Sequence, residues 1–296
     1  MILAPLRGVT IRCFRETFAE EIRAAGFAEA ITPFIAAMRG YDPLKDRELQ
    51  NCSNVGMLEC SNADRIRVTP QFIGKDPEAL RECLLRVKAA GFETADLNCG
   101  CPYPMVRNKG RGSGLLRTPD VLRRMLEVGC ETMGAGKFSV KARLGIDRND
   151  ELLKLMPLIN EFPLRFLTVH ARTARQMYAG VCDAGGLEKV WKVARVPIVI
   201  NGDVPFPPDS NIQTFEHSSS SIMIGRSFIR HLGTREDSGE LLRRYIAASQ
   251  AELCGDHPVL GRMKELIAYW KELPQWKRRW DVIKICRTVD ELKSAC

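Results

Sequence analysis

A cysteine in a turn-rich segment that follows a short apolar run is the first candidate for chemistry. Cys101 stands in the run Asn98-Cys99-Gly100-Cys101-Pro102, three residues after the amide of Asn98. A thiol in a mostly apolar setting stays protonated near neutral pH and can still donate that proton. Most free cysteines are buried and inert, and we interpret Cys99 in that way. The role of Cys101 therefore depends on what surrounds it.

Further polar residues stand at the ends of other apolar runs along the chain. One of them alone would be a solvated or helix-capping residue, but their repetition in run after run indicates a shared site. Asn201-Gly202-Asp203 and Gly225-Arg226 follow the last two runs, and glycine backbone with an arginine fork suits a phosphate group. The set comprises Pro5-Leu6-Arg7, Gln71, Asn98 with Cys101, Lys141 with Arg143, His170, Asn201-Gly202-Asp203 and Gly225-Arg226.

Short strand-like runs alternate with amphipathic stretches through the first 230 or so residues. Such alternation predicts parallel pairing, and about eight units predict a closed (β/α)8 barrel, the TIM barrel, with its site at the carboxyl ends of the strands. A doubly wound sheet is the alternative, but no G-x-G-x-x-G follows the first strand. The predicted strands are Ile2–Ala4, Ala28–Phe34, Val68–Ile73, Thr94–Asn98, Phe138–Ala142, Phe166–His170, Ile198–Asn201 and Ser221–Ile224. The predicted helices are Ile11–Ala25, Pro77–Ala90, Pro119–Met133 and Leu187–Ala194.

The pattern changes near Asp237 to helical periodicity without strands. Helices are predicted within Leu241–Cys254, Pro258–Trp270 and Gln275–Ile285, with the tryptophans of this region inside a small core. We therefore predict a catalytic barrel over residues 1–236 and a small C-terminal helical domain over residues 237–296.

Composition narrows the class of protein. With 45% hydrophobic and 27% charged residues and no long apolar run, the chain is predicted to be globular, without a membrane span. The N-terminus has no signal-peptide pattern, which predicts a cytoplasmic protein, and we expect its scattered, odd-numbered 11 cysteines to be reduced. Their spacing completes no four-ligand zinc set, so we expect no metal. The net charge of +8 favours a polyanionic partner, although many basic proteins bind no nucleic acid.

The segment around Cys101 is specific enough to name a family. Asp96-Leu97-Asn98-Cys99-Gly100-Cys101-Pro102, followed by Val106 and the glycine-rich Gly112-Ser113-Gly114-Leu115-Leu116, resembles the motif of the tRNA-dihydrouridine synthases, which are flavoproteins. The resemblance covers most of the barrel, with Leu6, Ile11 and Ala184 standing where the family usually has other residues. The further matching segments are Leu3-Ala4-Pro5, Val140-Lys141-Ala142-Arg143, Val169-His170-Ala171-Arg172-Thr173, Ile200-Asn201-Gly202-Asp203 and Met223-Ile224-Gly225-Arg226.

The resemblance implies that FMN lies over the barrel mouth. Pro5 and Leu6 would pack near the isoalloxazine ring. Gln71, Lys141 and His170 would address its polar edge. Ribityl and phosphate would be held by Asn201, Gly202, Asp203, Gly225 and Arg226.

The implied reaction is reduction of the C5–C6 bond of a uridine in tRNA, with NADPH as reductant. Hydride from the reduced flavin would reach C6, Cys101 would protonate C5, and Asn98 and Arg143 would bind the substrate. Two other functions remain open, namely an FMN barrel that reduces a free pyrimidine or small enone, and a catalytically silent RNA-binding protein. We expect a monomer that binds tRNA and NADPH.

Overall fold

The structure is a computed structural model that describes residues 1–50, 57–58, 65–208 and 221–296. Its strands are β1 (Ile2–Leu3), β2 (Glu29–Ile31), β3 (Ile35–Ala36), β4 (Met57–Leu58), β5 (Ile66–Thr69), β6 (Gln71–Ile73), β7 (Ala95–Cys99), β8 (Phe138–Gly145), β9 (Leu167–Thr173), β10 (Ile198–Asn201) and β11 (Ser221–Ile224). They pair in the order β3-β6-β7-β8-β9-β10-β11-β1-β2-β5-β4. Every pair is parallel except β4 with β5.

Pro70 joins the two ends of this ladder. It separates β5, which pairs with β2, from β6, which pairs with β7. Proline has no N–H to give a ladder, and here its carbonyl accepts from the backbone N of Asp96 at 2.9 Å. The chain thus changes partners at one residue and closes the sheet, which confirms the predicted TIM barrel. The single strand predicted over Val68–Ile73 is wrong in this detail, because Pro70 divides it.

Strand register places the predicted polar residues in neighbouring rows. Asn98 on β7 is paired with Lys141 on β8. His170 on β9 is paired with Arg143 on one side and with Asn201 on the other. Because the strands are parallel, their carboxyl ends meet at one rim, so these side chains converge.

Helices surround the barrel and form the C-terminal part. They are α1 (Arg12–Thr17), α2 (Ala19–Ala24), α3 (Pro77–Ala89), α4 (Pro104–Arg107), α5 (Pro119–Met133), α6 (Glu151–Ile159), α7 (Ala184–Val193), α8 (Arg226–Thr234), α9 (Ser238–Glu252), α10 (Asp256–Ile267), α11 (Pro274–Ile283) and α12 (Val289–Ala295), with 3-10 turns at Pro43–Lys45 and Gly112–Arg117. Pro77 and Pro119 begin their helices, as predicted. The helix predicted over Ile11–Ala25 is instead two short helices that meet at Phe18, whose φ of −110° is not helical.

The C-terminal helices share one continuous core with the barrel. Tyr245 on α9 packs against Phe14 and Phe18. Trp270 and Trp276 are 0% exposed, which confirms for these two the prediction that the tryptophans of this region lie inside, whereas Trp280 is only partly buried. The structure thus shows helices beyond residue 237 packed on the barrel wall, while their assignment as a separate tRNA-binding domain over 237–296 stays a prediction. Across the described ranges, no helix has the length and apolar character that crossing a membrane requires.

Candidate active site

A cavity of about 580 Å³ opens at the carboxyl ends of the barrel strands. Its wall combines apolar residues with cations and a thiol, the mixture expected of a site that binds a polar ligand with an aromatic part. The predicted site residues that line it are Pro5, Leu6, Asn98, Cys101, Lys141, Arg143, His170, Asn201, Gly202, Asp203, Gly225 and Arg226.

The loop that carries Cys101 is held by the side chain of Asn98. Its Oδ1 accepts hydrogen bonds from the backbone N of Gly100 at 3.1 Å and of Cys101 at 2.8 Å. This turn brings the Cys101 side chain, 7% exposed, to the cavity wall. Burial raises the pKa of the thiol, with a backbone hydrogen bond from Tyr103 and the charges of Arg143 and Arg7 opposing it. Cys101 is therefore protonated at neutral pH.

The glycine-rich segment fits closely behind Cys101. Gly112 has a φ of +58°, and a Cβ placed on it would lie 2.8 Å from the Cys101 Cβ. Ser113 donates to the Cys101 carbonyl from its backbone N at 3.1 Å and from its hydroxyl at 2.9 Å. Only glycine combines this backbone conformation with this contact, so the segment adds a second set of contacts that fix Cys101, besides those of Asn98.

Gln71 is the predicted cofactor residue that does not line the cavity. It is 0% exposed. Its Oε1 accepts from Asn98 Nδ2 at 2.8 Å, and its Nε2 donates to Asp96 Oδ2 at 2.7 Å. The structure therefore places Gln71 beneath the wall, where it contacts Asn98, and its predicted contact with the cofactor stays a prediction.

Lys141 presents a cation whose charge is only partly formed at neutral pH. Its Nζ donates to Asn201 Oδ1 at 2.8 Å, and Asn201 Nδ2 donates to the Met223 carbonyl at 2.8 Å. Burial, helped by the charge of Arg143 and opposed by that of Asp96, lowers the pKa of Lys141 to about 7. A negative charge arriving in the cavity would raise this pKa and draw a proton onto the amine.

His170 is held in its neutral form. Burial lowers its pKa well below the usual range, and the charges of Lys141 and Arg143 add to the effect. Arg172 Nη1 lies 3.3 Å from His170 Nε2, a distance at which the guanidinium donates to the imidazole lone pair. His170 can thus exchange hydrogen bonds with a ligand without adding charge.

Arg143 donates most of its observed hydrogen bonds to backbone carbonyls of the protein. Its Nε donates to the Gly100 carbonyl at 2.9 Å, and its Nη1 donates to the carbonyls of Thr173 at 2.9 Å and Met177 at 2.7 Å. The guanidinium carbon lies 5.4 Å from the centre of the Tyr178 ring. Arg143 therefore ties the Cys101 loop to the β9 side of the rim, and its predicted contact with substrate stays a prediction.

The rim after β10 and β11 offers groups for an anion. Helix α8 begins directly after Gly225, and no side chain caps its first turn. Arg226, from that turn, donates to Asp203 at 2.7 Å, and Arg172 pairs with the same carboxylate. The free N–H groups of a helix start and a neighbouring arginine are the features that bind phosphate.

Several cavity residues were not among the predicted site residues. Tyr178 contacts both Arg143 and Arg226, whose guanidinium carbons lie 5.4 and 5.0 Å from its ring centre. Tyr269 and Glu272 reach the cavity from the segment after α10. Tyr178 stands five residues after the matching segment that ends at Thr173, and this nearness was a usable signal. For Tyr269 and Glu272 no motif exists, because packing of distant helices brings them there.

Comparison with known proteins agrees with this architecture. A family model described as dihydrouridine synthase (Dus) matches residues 2–233. A tRNA-dihydrouridine synthase B of Vibrio cholerae is 29% identical, covering 76% of this chain and 66% of the relative. A tRNA-dihydrouridine(16) synthase of Haemophilus influenzae is 26% identical, covering 99% of this chain and 97% of the relative.

A solved structure supports the fold alone. The old yellow enzyme homologue from Zymomonas mobilis aligns with a TM-score of 0.51 at 12% identity, covering 78% of this chain and 85% of that one. The family model spans the whole barrel and the strand ends that form the cavity, which confirms the resemblance drawn from the segment around Cys101. The chain belongs to the dihydrouridine synthase family.

Proposed function

We propose that this protein is a tRNA-dihydrouridine synthase that reduces the C5–C6 double bond of uridine in tRNA, using FMN and NADPH. Family membership and the names of the relatives from Vibrio cholerae and Haemophilus influenzae support the reaction and the tRNA substrate. The observation that carries the proposal is the protonated thiol of Cys101 on the wall of a cation-rich cavity. We further propose a monomer that acts in the cytoplasm.

The cavity fits a flavin mononucleotide in its donor set. Lys141 on β8 and neutral His170 on the neighbouring β9 line the cavity and offer the cation and the hydrogen-bonding partner that a pyrimidine edge needs. The uncapped start of α8 with Arg226, after β11, offers the N–H groups and the fork that a phosphate needs. When bound, the reduced flavin supplies a hydride to the uracil ring. Pro5 and Leu6 add apolar surface to the same cavity.

The residues of the chain then handle the proton. Addition of a hydride at C6 of uracil leaves negative charge toward C5 and O4, so a donor is needed at C5. Cys101 holds a proton at neutral pH because burial raises its pKa. Arg143 lies near the thiol and stabilises the thiolate that forms. Asn98 has a second Nδ2 hydrogen beyond the one given to Gln71, and this hydrogen can meet the uracil edge.

A uridine inside folded tRNA must leave its stack to reach this cavity. Exposed Tyr103 and Met105 come directly after the Cys101 loop, and Arg107, Lys109 and Arg111 follow them along the chain. Aromatic and basic groups beside a cavity mouth suit an extruded nucleotide and its backbone. The net charge of +8 adds attraction for the polyanion.

Substitution of Cys101 tests the proposal. The purified chain is examined for flavin absorbance and incubated with unmodified tRNA and NADPH while dihydrouridine is measured. Cys101→Ala should keep its flavin and its oxidation of NADPH, and lose at least about 100-fold in turnover, the usual contribution of a general acid. Cys99→Ala is the matched control, because Cys99 is buried in β7 and does not line the cavity.

Three results would each contradict a part of the proposal. A colourless protein that gains no colour with added FMN excludes the flavin. A flavin-containing protein that reduces free pyrimidines but leaves tRNA unchanged selects the free-pyrimidine reductase instead. Equal turnover of Cys101→Ala and wild type removes Cys101 as the acid.

A further inference from the structure

A chain of hydrogen bonds runs from the Cys101 loop into the barrel interior, and every donor points the same way. The backbone N of Cys101 donates to Asn98 Oδ1 at 2.8 Å. Asn98 Nδ2 donates to Gln71 Oε1 at 2.8 Å, and Gln71 Nε2 donates to Asp96 Oδ2 at 2.7 Å. We name these three links the Asp96 relay. It ends on a carboxylate that does not reach the cavity.

The two ends of the Asp96 relay together fix the orientation of both side-chain amides. The backbone N–H groups of Gly100 and Cys101 can only donate, so they require an oxygen from Asn98. The ionised carboxylate of Asp96 can only accept, so it requires the NH₂ group of Gln71. Without that acceptor, Gln71 can turn its amide over, and Asn98 then loses the partner that holds its oxygen toward the loop.

The surroundings of Asp96 keep it in place. It is 0% exposed, and its other oxygen, Oδ1, accepts from the Ser139 hydroxyl at 2.6 Å. Burial raises the pKa of Asp96 to about 6, with Ser139 and Gln71 opposing the rise. Of the charged groups that face it, Lys141 on β8 lowers this pKa and Glu29 on β2 raises it.

We propose that Asp96 is a positioning residue that holds the Cys101 loop in its working geometry through Gln71 and Asn98. The inference rests on the proposed function only in saying what the loop is held for. The Asp96 relay differs from ordinary core packing in two ways. It acts on the Cys101 loop alone, and it depends on the carboxylate oxygen of Asp96 that accepts from Gln71. A misplacement of about 1 Å at a reacting group can cost on the order of 100-fold in rate.

The first test measures the Cys101 thiol rather than turnover. The full chain, as purified, is treated with iodoacetamide at pH 8, and labelling of Cys101 is followed by peptide mass spectrometry against exposed Cys254 in the same molecule. Asp96→Leu removes the acceptor and should speed labelling of Cys101 relative to Cys254 on the order of fivefold, the change allowed by the loss of one net hydrogen bond. Asp96→Asn can still turn a carbonyl oxygen toward Gln71 and should restore a rate within about twofold of wild type.

Ser139→Ala provides the matched control. It removes a hydrogen bond from the same carboxylate, on the side away from the relay, and should leave Cys101 labelling at the wild-type rate. Gln71→Met cuts the relay in the middle and keeps Asp96 with Ser139. It should match Asp96→Leu, and the double variant should be no faster than either single variant. Gln71→Met also replaces Asp96→Leu in the comparison if that variant does not fold.

Turnover gives the second readout. Asp96→Leu should lower kcat for tRNA about tenfold or more with little change in KM, because Asp96 acts only through Gln71 and Asn98 and the phosphate contacts that dominate tRNA affinity are left in place. The proposal is overturned if labelling of Cys101 is unchanged in both relay variants, or if Ser139→Ala changes it as much as they do. A wild-type chain that forms no dihydrouridine would refute the proposed function, while the labelling result would still decide the relay.

Discussion

Replacement of Lys141 by methionine should stabilise the protein near neutral pH while damaging its site. In the folded protein, burial and the charge of Arg143 lower the pKa of Lys141 from 10.5 to about 7. A basic group whose pKa is lower in the folded than in the unfolded protein does not destabilise the fold at pH values above its unfolded-state pKa, because it is neutral in both states. As the pH falls toward the folded-state pKa, the group lowers the free energy of unfolding by a growing amount. One pKa unit corresponds to about 1.4 kcal/mol. Lys141 therefore lowers the free energy of unfolding of the wild type by roughly 4 kcal/mol at pH 7 and by roughly 2 kcal/mol at pH 9.

Methionine fills nearly the same space but leaves Asn201 Oδ1 without the donor that Lys141 Nζ supplies at 2.8 Å. Loss of a buried partner costs about 1–3 kcal/mol at every pH. The net gain of Lys141→Met should therefore be about 1–3 kcal/mol at pH 7, and it should shrink by about 2 kcal/mol between pH 7 and pH 9. The difference between the stability gains at pH 7 and pH 9 is the better test, because the loss of the hydrogen bond contributes equally at both pH values and cancels.

Urea unfolding at pH 7, 8 and 9 measures both quantities. Lys189→Met is the control, since Lys189 is exposed on α7 and its replacement should change stability by less than about 0.5 kcal/mol at each pH. A difference in unfolding free energy between Lys141→Met and wild type that is the same at pH 7 and pH 9 would contradict the lowered pKa of Lys141. It would mean that Lys141 keeps an ordinary pKa in the folded protein.

Two further substitutions test the packing behind the site and in the tail. Gly112→Ala should lower kcat about tenfold or more in steady-state assays, because the new Cβ would lie 2.8 Å from the Cys101 Cβ. Gly136→Ala has a comparable φ of +71° but open space around its Cβ, so equal turnover of the two variants would contradict the steric argument. Trp270→Ala should destabilise the protein by about 3–5 kcal/mol in denaturant unfolding. Partly buried Trp280 should tolerate the same change with less than half that loss, and similar losses would argue against the packing described.

The barrel and the position of its site could be predicted from the sequence because both depend on local patterns. Each strand is a short apolar run, and parallel strands bring their carboxyl ends to one rim whatever the details of packing. The change of partners at Pro70 was harder to foresee. Proline within a strand indicates an interruption, but which neighbours each half then takes depends on closure of the whole sheet.

The direction of individual side chains could not be predicted in the same way. The sequence places Gln71 in the same predicted set as Lys141, yet Asp96 and Asn98 on the neighbouring strand hold its amide below the cavity. Those contacts depend on register across the sheet, which no single segment encodes. Tyr269 reaches the cavity through packing between helices far apart in sequence, so its role had no local signal.

The end of α8 has a consequence for protein engineering. Trp270 Nε1 donates to the Ile229 carbonyl at 2.6 Å, and Trp276 Nε1 donates to the Gly233 carbonyl at 3.1 Å. A Cβ on Gly233 would lie 2.5 Å from the Trp270 ring, so α8 and the C-terminal tail pack too closely to admit a side chain at this position. The other end of the same helix opens on the cavity through Arg226. A chimera that exchanges C-terminal regions between family members should therefore place its junction before α8, so that the helix is transplanted together with the tryptophans that seat it.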